Sequence, residues 1–163
     1  MSASIEVDFS KLGRMGAQVQ RFLSNVSETD LLLEAIGMGF TTETNTRFRE
    51  GKGPEGVPWE KTNRGGQILV DSGITRDSFN SQVEGSTVKH GSNQQHVKTH
   101  QFGAVIKPKN AKVLAFEIDG KMVFARKVTI PARPILGIDD GTTKMIRGEI
   151  ADFVRAARTG AFA

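Results

Sequence analysis

The chain has no cysteine. That absence excludes disulfides, a thiol nucleophile and any cysteine-based metal site, and it suits a reducing compartment such as a bacterial cytoplasm. A continuous apolar run of membrane-spanning length is also missing. The first residues, which include Glu6 and Asp8, lack the basic start and apolar core of a signal peptide. The expectation is a soluble protein without a membrane partner, not exported by that route. Tryptophan occurs once, at Trp59, and histidine three times, at His90, His96 and His100. Internal repeats, low-complexity tracts and composition shifts that would mark a second domain are absent as well. One domain over residues 1–163 is expected, with a long flexible loop at about 51–67.

A length of 163 residues lets a domain bury roughly two-thirds of the surface its unfolded chain exposes. The hydrophobic share of 37% and the charged share of 25% are near the globular norm, so a real core is expected, while 18 glycines signal many turns. The formal net charge of +4 tolerates an acidic partner, nucleic acid included, but bears on association and not on fold.

Leu12, Met15, Val19, Phe22, Leu23 and Val26 recur at helical spacing behind Ser10 as N-cap. A second helix opens at Ser27 or Thr29 and runs to about Phe48, with Leu32, Ala35, Ile36, Gly39, Phe40 and Phe48 at helical spacing. Its polar stretch 41–46 has poor helix propensity and needs packing partners. In residues 51–67 glycines and prolines deny both helix and ladder bonds, and so long a loop in a small domain is usually functional or disordered. Residues 68–79 form a short element, in which Asp71 or Ser72 caps a helical turn. A modest strand signal at 87–90 precedes a polar break at 91–95.

The strongest β pattern is at 112–118 and 121–130 around Asp119-Gly120. A two-residue loop pairs Phe116 with Val123 and splits the apolar set between two faces. A three-residue loop ending on a left-handed Gly120 pairs Phe116 with Met122 and Leu114 with Phe124, and is preferred because it keeps that set together. Beyond Pro134, Asp139-Asp140-Gly141-Thr142 starts a last helix with the stripe Met145, Ile146, Ile150, Phe153, Val154 and Ala157. Arg155 and Arg158 suit its C-terminal dipole. Two N-terminal helices, a long loop, an antiparallel sheet with a prominent hairpin and a C-terminal helix make an α+β domain.

Little in this order carries catalytic chemistry. His96 and His100 are four apart, the spacing of a metal pair on a helix face, but their segment shows no helical pattern and no carboxylate stands at ligand spacing. Polar or half-buried histidines beside a strand are the preferred reading. Ser72 beside Asp71 lacks the strand-to-helix elbow of a nucleophile, and Gly51-x-Gly53-x-x-Gly56 follows a helix, not the strand a dinucleotide site needs. No catalytic residue, metal or cofactor is expected. Lys107, Lys109, Lys112, Lys121, Arg126, Lys127 and Arg133 gather as a basic set that either follows a nucleic-acid backbone or guards a solvated sheet edge.

Four signatures stand in order along the chain. They are Pro54-Glu55-Gly56-Val57-Pro58-Trp59, the run from Ile68 to Ser78 that holds Ser72, Gly73 and Arg76, then His100-Gln101-Phe102-Gly103, and last Ile130-Pro131-Ala132-Arg133-Pro134-Ile135-Leu136-Gly137. Together they resemble the phage virion morphogenesis, or tail completion, family of Mu-like phages, over about residues 30–155. One departure is His96-Val97, where the resemblance expects an aromatic followed by alanine.

The resemblance implies a structural, non-enzymatic virion protein of the head-tail neck, assembled in the host cytoplasm. Its partners are then copies of itself in a ring, commonly hexameric, the head connector or stopper, the tail terminator or tail tube, and DNA passing through the channel without sequence-specific binding. A tail tube terminator at the head-proximal end is the nearest alternative. A basic DNA-binding module is an alternative of another class, and a histidine-based enzyme is a third. The signature residues Pro54, Gly56, Trp59, Ser72, Gly73, Arg76, His100, Gln101, Phe102, Gly103, Pro131, Arg133 and Pro134 are the candidate interface set.

Pro131 and Pro134 fix φ and remove two donors, so the ladder ends there and the chain leaves the hairpin stiffened. Between them Arg133 binds an acceptor either within its own domain, the favoured option, or across a subunit boundary. Trp59 is either an interface anchor or a pin for its loop.

Overall fold

A computed structural model describes residues 3–8, 29–61, 66–118 and 120–159. The helix expected from Leu12 to Val26, with its Ser10 cap, lies outside the described residues. In β1 (Ala3–Asp8), the inward Ala3 and Ile5 alternate with the exposed Ser4 and Glu6, the period of a strand with one inward face. It pairs antiparallel with β3 (Thr87–Ser92), which also pairs with β2 (Phe79–Glu84), so the sheet order is β1-β3-β2. Gly85, at φ 57°, turns the chain between β2 and β3.

The helix α1 (Thr29–Glu50) lies on β2 and β3, and α4 (Asp140–Arg158) packs on α1. Two glycines allow this close approach. A Cβ on Gly37 would stand 2.9 Å from that of Ser81 in β2, and one on Gly39 would overlap the Met145 sulfur in α4. Leu32, Leu33, Ile36 and Phe40 of α1, Val88 of β3, and Ile146 and Phe153 of α4 form one apolar cluster. A second joins Ala3, Phe48, Trp59, Phe79, Val97, Ile135 and Leu136. The stripe expected of the last helix is the inward one, and Asp139 caps it by accepting from the Thr142 N–H at 2.7 Å.

Between the two clusters runs a polar line. His90, fully buried, hydrogen-bonds Thr44 Oγ1 at 2.9 Å through Nε2 and Ser81 Oγ at 2.8 Å through Nδ1. Ser81 donates its own hydroxyl proton to the Gly37 carbonyl at 2.7 Å, so it accepts from His90. His90 is thus the Nδ1–H tautomer, and its Nε2 accepts from Thr44. The polar part of α1 is held as its composition requires, by a packing partner.

The second half of the fold is built from small ribbons. The helix α2 (Ile74–Asp77) precedes β2, and α3 (Gln95–Phe102) leads to β4 (Ala104–Ile106), which pairs with β7 (Val128–Ile130). Strands β5 (Leu114–Ile118) and β6 (Lys121–Ala125) pair, among the described residues, only with each other. The architecture is mixed helix and antiparallel strand, in keeping with α+β.

Four expectations need correction. The hairpin pairs Phe116 with Val123 and Leu114 with Ala125, the register of a two-residue loop, and not Phe116 with Met122. Keeping the apolar set on one face assumed a buried face, whereas this hairpin exposes one side, leaving Met122 59% and Phe124 66% accessible. The expected strand 121–130 is two strands, interrupted at Arg126 and Lys127. Residues 95–102 are helical, and only Val97 of that helix is buried, so no apolar periodicity betrayed it. The cap of α2 is Gly73 at φ 83°, not Asp71 or Ser72, because the left-handed turn there disfavours a side chain.

Candidate functional site

The last signature, residues 130–137, leaves β7 as an extended strap, and the other signatures converge on it. Gln101 at the end of α3 acts as a substitute strand edge. Its Oε1 accepts from the backbone N–H groups of Ile135 and Leu136 at 2.8 and 2.9 Å, and its Nε2 donates to the Leu136 carbonyl at 2.8 Å. The Arg133 N–H donates to the His100 carbonyl at 2.6 Å. Gly103 follows at φ 72°, and a Cβ there would crowd both the Ile130 carbonyl and the Ala132 nitrogen at 3.0 Å. The sequence His100-Gln101-Phe102-Gly103 is therefore a clamp on the strap, with Phe102 turned outward at 70% accessibility.

Trp59 holds the strap from the other side. Its Nε1 donates to the Pro134 carbonyl at 2.9 Å while its ring meets Phe48 edge-on at 5.6 Å. The turn that carries it is closed by Trp59 N–H to Gly51 O at 2.8 Å and Gly53 N–H to Val57 O at 2.9 Å. Gly56, at φ 73°, sits at its exposed tip. Pro54 abuts Gly137, where a Cβ would stand 2.9 Å from that of the proline. Trp59 pins its loop to the core.

Arg133 takes the intramolecular option. It is buried, and its Nε donates to the Glu60 carbonyl at 2.8 Å. Beyond it Arg47, absent from every sequence-based expectation, is buried and donates to the carbonyls of Ile135 and Gly137, the Asp139 carboxylate and the Thr142 hydroxyl, each at 3.0 Å. One guanidinium thus joins α1, the strap and the start of α4. Burial by itself would raise the Asp139 carboxyl, but the Thr142 N–H and hydroxyl and the Arg47 charge outweigh it and hold the group below the usual carboxylate range. Helical spacing could have revealed Arg47, since it shares the inward face with Phe40, Thr44 and Phe48.

The extended strap separates two clefts, and its residues 131–134 alternate between them. Pro131 and Arg133 line a cleft of about 560 Å³ with Ser72, Gly73 and His100. Ala132, Pro134 and Leu136 line one of about 380 Å³ with Pro54 and Trp59. Arg76 stands apart, exposed and paired with its neighbour Asp77 at 2.6 Å. His96 and His100 do share a helix face, with ring centres 6.3 Å apart, and Thr75 hydrogen-bonds His96 Nε2 at 2.9 Å. Burial, with the nearby charges of Arg133 and His96, lowers the His100 pKa. Among the described residues no group of three or more His, Asp or Glu is placed to hold a metal.

These features define a class: an α+β domain in which Pro54, Trp59, His100, Gln101 and Gly103 of the signatures hold one extended strap between two clefts. The profile of the phage virion morphogenesis family matches residues 11–155, and the chain belongs to that family. Its role is structural, in building the phage particle, of which it is a component. No curated protein and no solved structure matches the chain. No helix among the described residues is long and apolar enough to cross a membrane.

Proposed function

We propose that this chain is a ring-forming neck subunit of tail-completion type, joining the head connector to the tail around the DNA channel. Family membership sets the frame. The observation that carries the finer reading is the pair of two-stranded sheets, β4-β7 and β5-β6, whose strands have no further neighbour in the described sheets. A two-stranded ribbon is marginal in water by itself, and open edges are joining devices when a partner completes them. Phe102 at the end of α3, Val105 and Ile106 of β4, and Met122 and Phe124 of β6 are exposed. In this reading the signature residues set the shape of the strap, and the ribbons make the contacts with neighbouring copies, the connector and the tail.

Phage lacking the protein should accumulate tail-less filled heads beside free tails, counted by electron microscopy of lysates. Intact infectious particles would end the joining role. Lys107, Lys109, Lys112, Lys121, Arg126 and Lys127 are all exposed, which supports the second reading, a basic surface that holds DNA. That reading predicts tight binding of duplex DNA by the isolated chain, falling steeply with salt.

A further inference from the structure

The β5-β6 register places Met122 and Phe124 on one face with Glu117 and Ala115, and every one of these four residues is exposed. Near the ends of this ribbon stand Lys112, before β5, and Arg126 and Lys127, after β6, also exposed, while Lys121 falls on the opposite face. An apolar centre with a charged rim is the anatomy of a protein interface, and large aromatics and Met are its enriched residues. Over residues 107–127 six cations face only Glu117 and Asp119, so the rim asks for an acidic partner surface.

Such a surface exists on the same chain. Residues 29–46 of α1 carry Asp30, Glu34 and Glu43 and no lysine or arginine. Leu31, Glu34 and Met38 recur at three and four residues along one helix face, with Leu31 47% and Met38 67% accessible and Asp30 exposed beside them. This stripe repeats the hairpin's design with the opposite charge. Within one protomer α1 packs on β2, β3 and α4, while β5 and β6 pair chiefly with each other.

We infer that the Met122–Phe124 face of the hairpin docks on the Leu31–Met38 stripe of α1 in a second copy of this chain. Two different patches of one chain meet head to tail, the kind of contact that closes into a ring. The inference rests on the ring reading above and adds which two surfaces meet. Apolar contact supplies the bulk of the attraction, and the opposed charges set the direction of docking and exclude the reverse pairing.

The absence of native cysteine makes the test clean. Particles are assembled with a chain carrying both Met38→Cys and Phe124→Cys, oxidised mildly, and run on a non-reducing gel. The double variant should give a ladder of oligomers, and each single variant should stay monomeric, since position 38 meets 124 and not itself. Wild-type particles treated with an amine-directed cross-linker serve as the reference.

A ladder with the amine reagent but none with the cysteine pair overturns this interface and leaves the ring. Absence of both ladders removes the ring and the inference together. A disulfide ladder that disappears after prior nuclease treatment assigns the hairpin to DNA instead. Should the double variant be excluded from particles, the pair is oxidised in the concentrated purified chain, where a ladder supports the interface and its absence beside an amine-reagent ladder refutes it.

Discussion

The two halves of this fold are finished to different degrees. The half made of α1, α4 and the β1-β3-β2 sheet has a closed core: its inward apolar side chains are buried, though Leu31 and Met38 of α1 face outward, and its buried histidine, arginine and threonines are hydrogen-bonded to one another and to backbone. The half made of β4-β7 and β5-β6 has no buried side chain in its strands, and it exposes Val105, Met122 and Phe124. One half carries the stability of the protomer, and the other is shaped for contact. The strap 130–137 belongs to both, since it leaves the open half and is held by Arg47 of the closed one, by Trp59 of the loop after α1 and by Gln101 of α3.

The largest break in this contrast should come from Arg47. Arg47→Leu leaves the Asp139 carboxylate without its cationic partner and the Ile135 and Gly137 carbonyls without their donor, and removing one member of a buried ion pair costs about 3–5 kcal/mol. Urea denaturation of the purified chain should show a loss of that order, and a loss below about 1 kcal/mol would mean the strap is held without it.

A smaller effect should follow acidification. Burial, only partly offset by a hydrogen bond to the Asn80 backbone and reinforced by the Arg47 charge, lowers the His90 pKa from 6.5 to about 4. The neutral ring is therefore the one the fold accepts. Between pH 6.5 and about 4 the unfolded chain takes up a proton that the folded chain refuses, so stability is intact above 6.5 and falls as pH drops through this window. The loss reaches about 3 kcal/mol at most. Denaturation at pH 7 and pH 4.5 measures it, and a His90→Asn variant should show a flatter pH dependence.

The smallest effect on the protomer should come from the open half. Phe124→Ser removes a side chain that is mostly in water already, so its stability should change by no more than about 0.5 kcal/mol. Head-tail joining should nevertheless fail. A variant that is destabilised but still joins would reverse the roles assigned to the two halves.

The closed half was the more legible in sequence. The α1 register, the α4 stripe and its Asp139 start follow from helical periodicity, because one buried face imposes one period. Strands β1 and β2 went unread although Ala3, Ile5 and Val7 alternate and Gly85-Ser86 is a two-residue hairpin signal, since each stretch is short and half polar. The helix α3 was unreadable for a better reason, as Val97 alone faces the core. The hairpin was located but its register was read one residue out, because the choice assumed a buried face that the protomer does not supply.

By itself the sequence determined that the chain is α+β, where its chief helices and hairpin lie, and which four signatures tie it to virion morphogenesis, because these depend on local pattern and order. Only the tertiary structure decided what the signatures do. In sequence Gln101, Trp59 and Arg133 stand in the candidate interface set, with an inward role open for Trp59 and favoured for Arg133, and in the fold each is turned onto backbone brought from 34 to 75 positions away. A carbonyl that needs a donor leaves no trace in side-chain pattern, so its partner becomes visible only when the chain is folded.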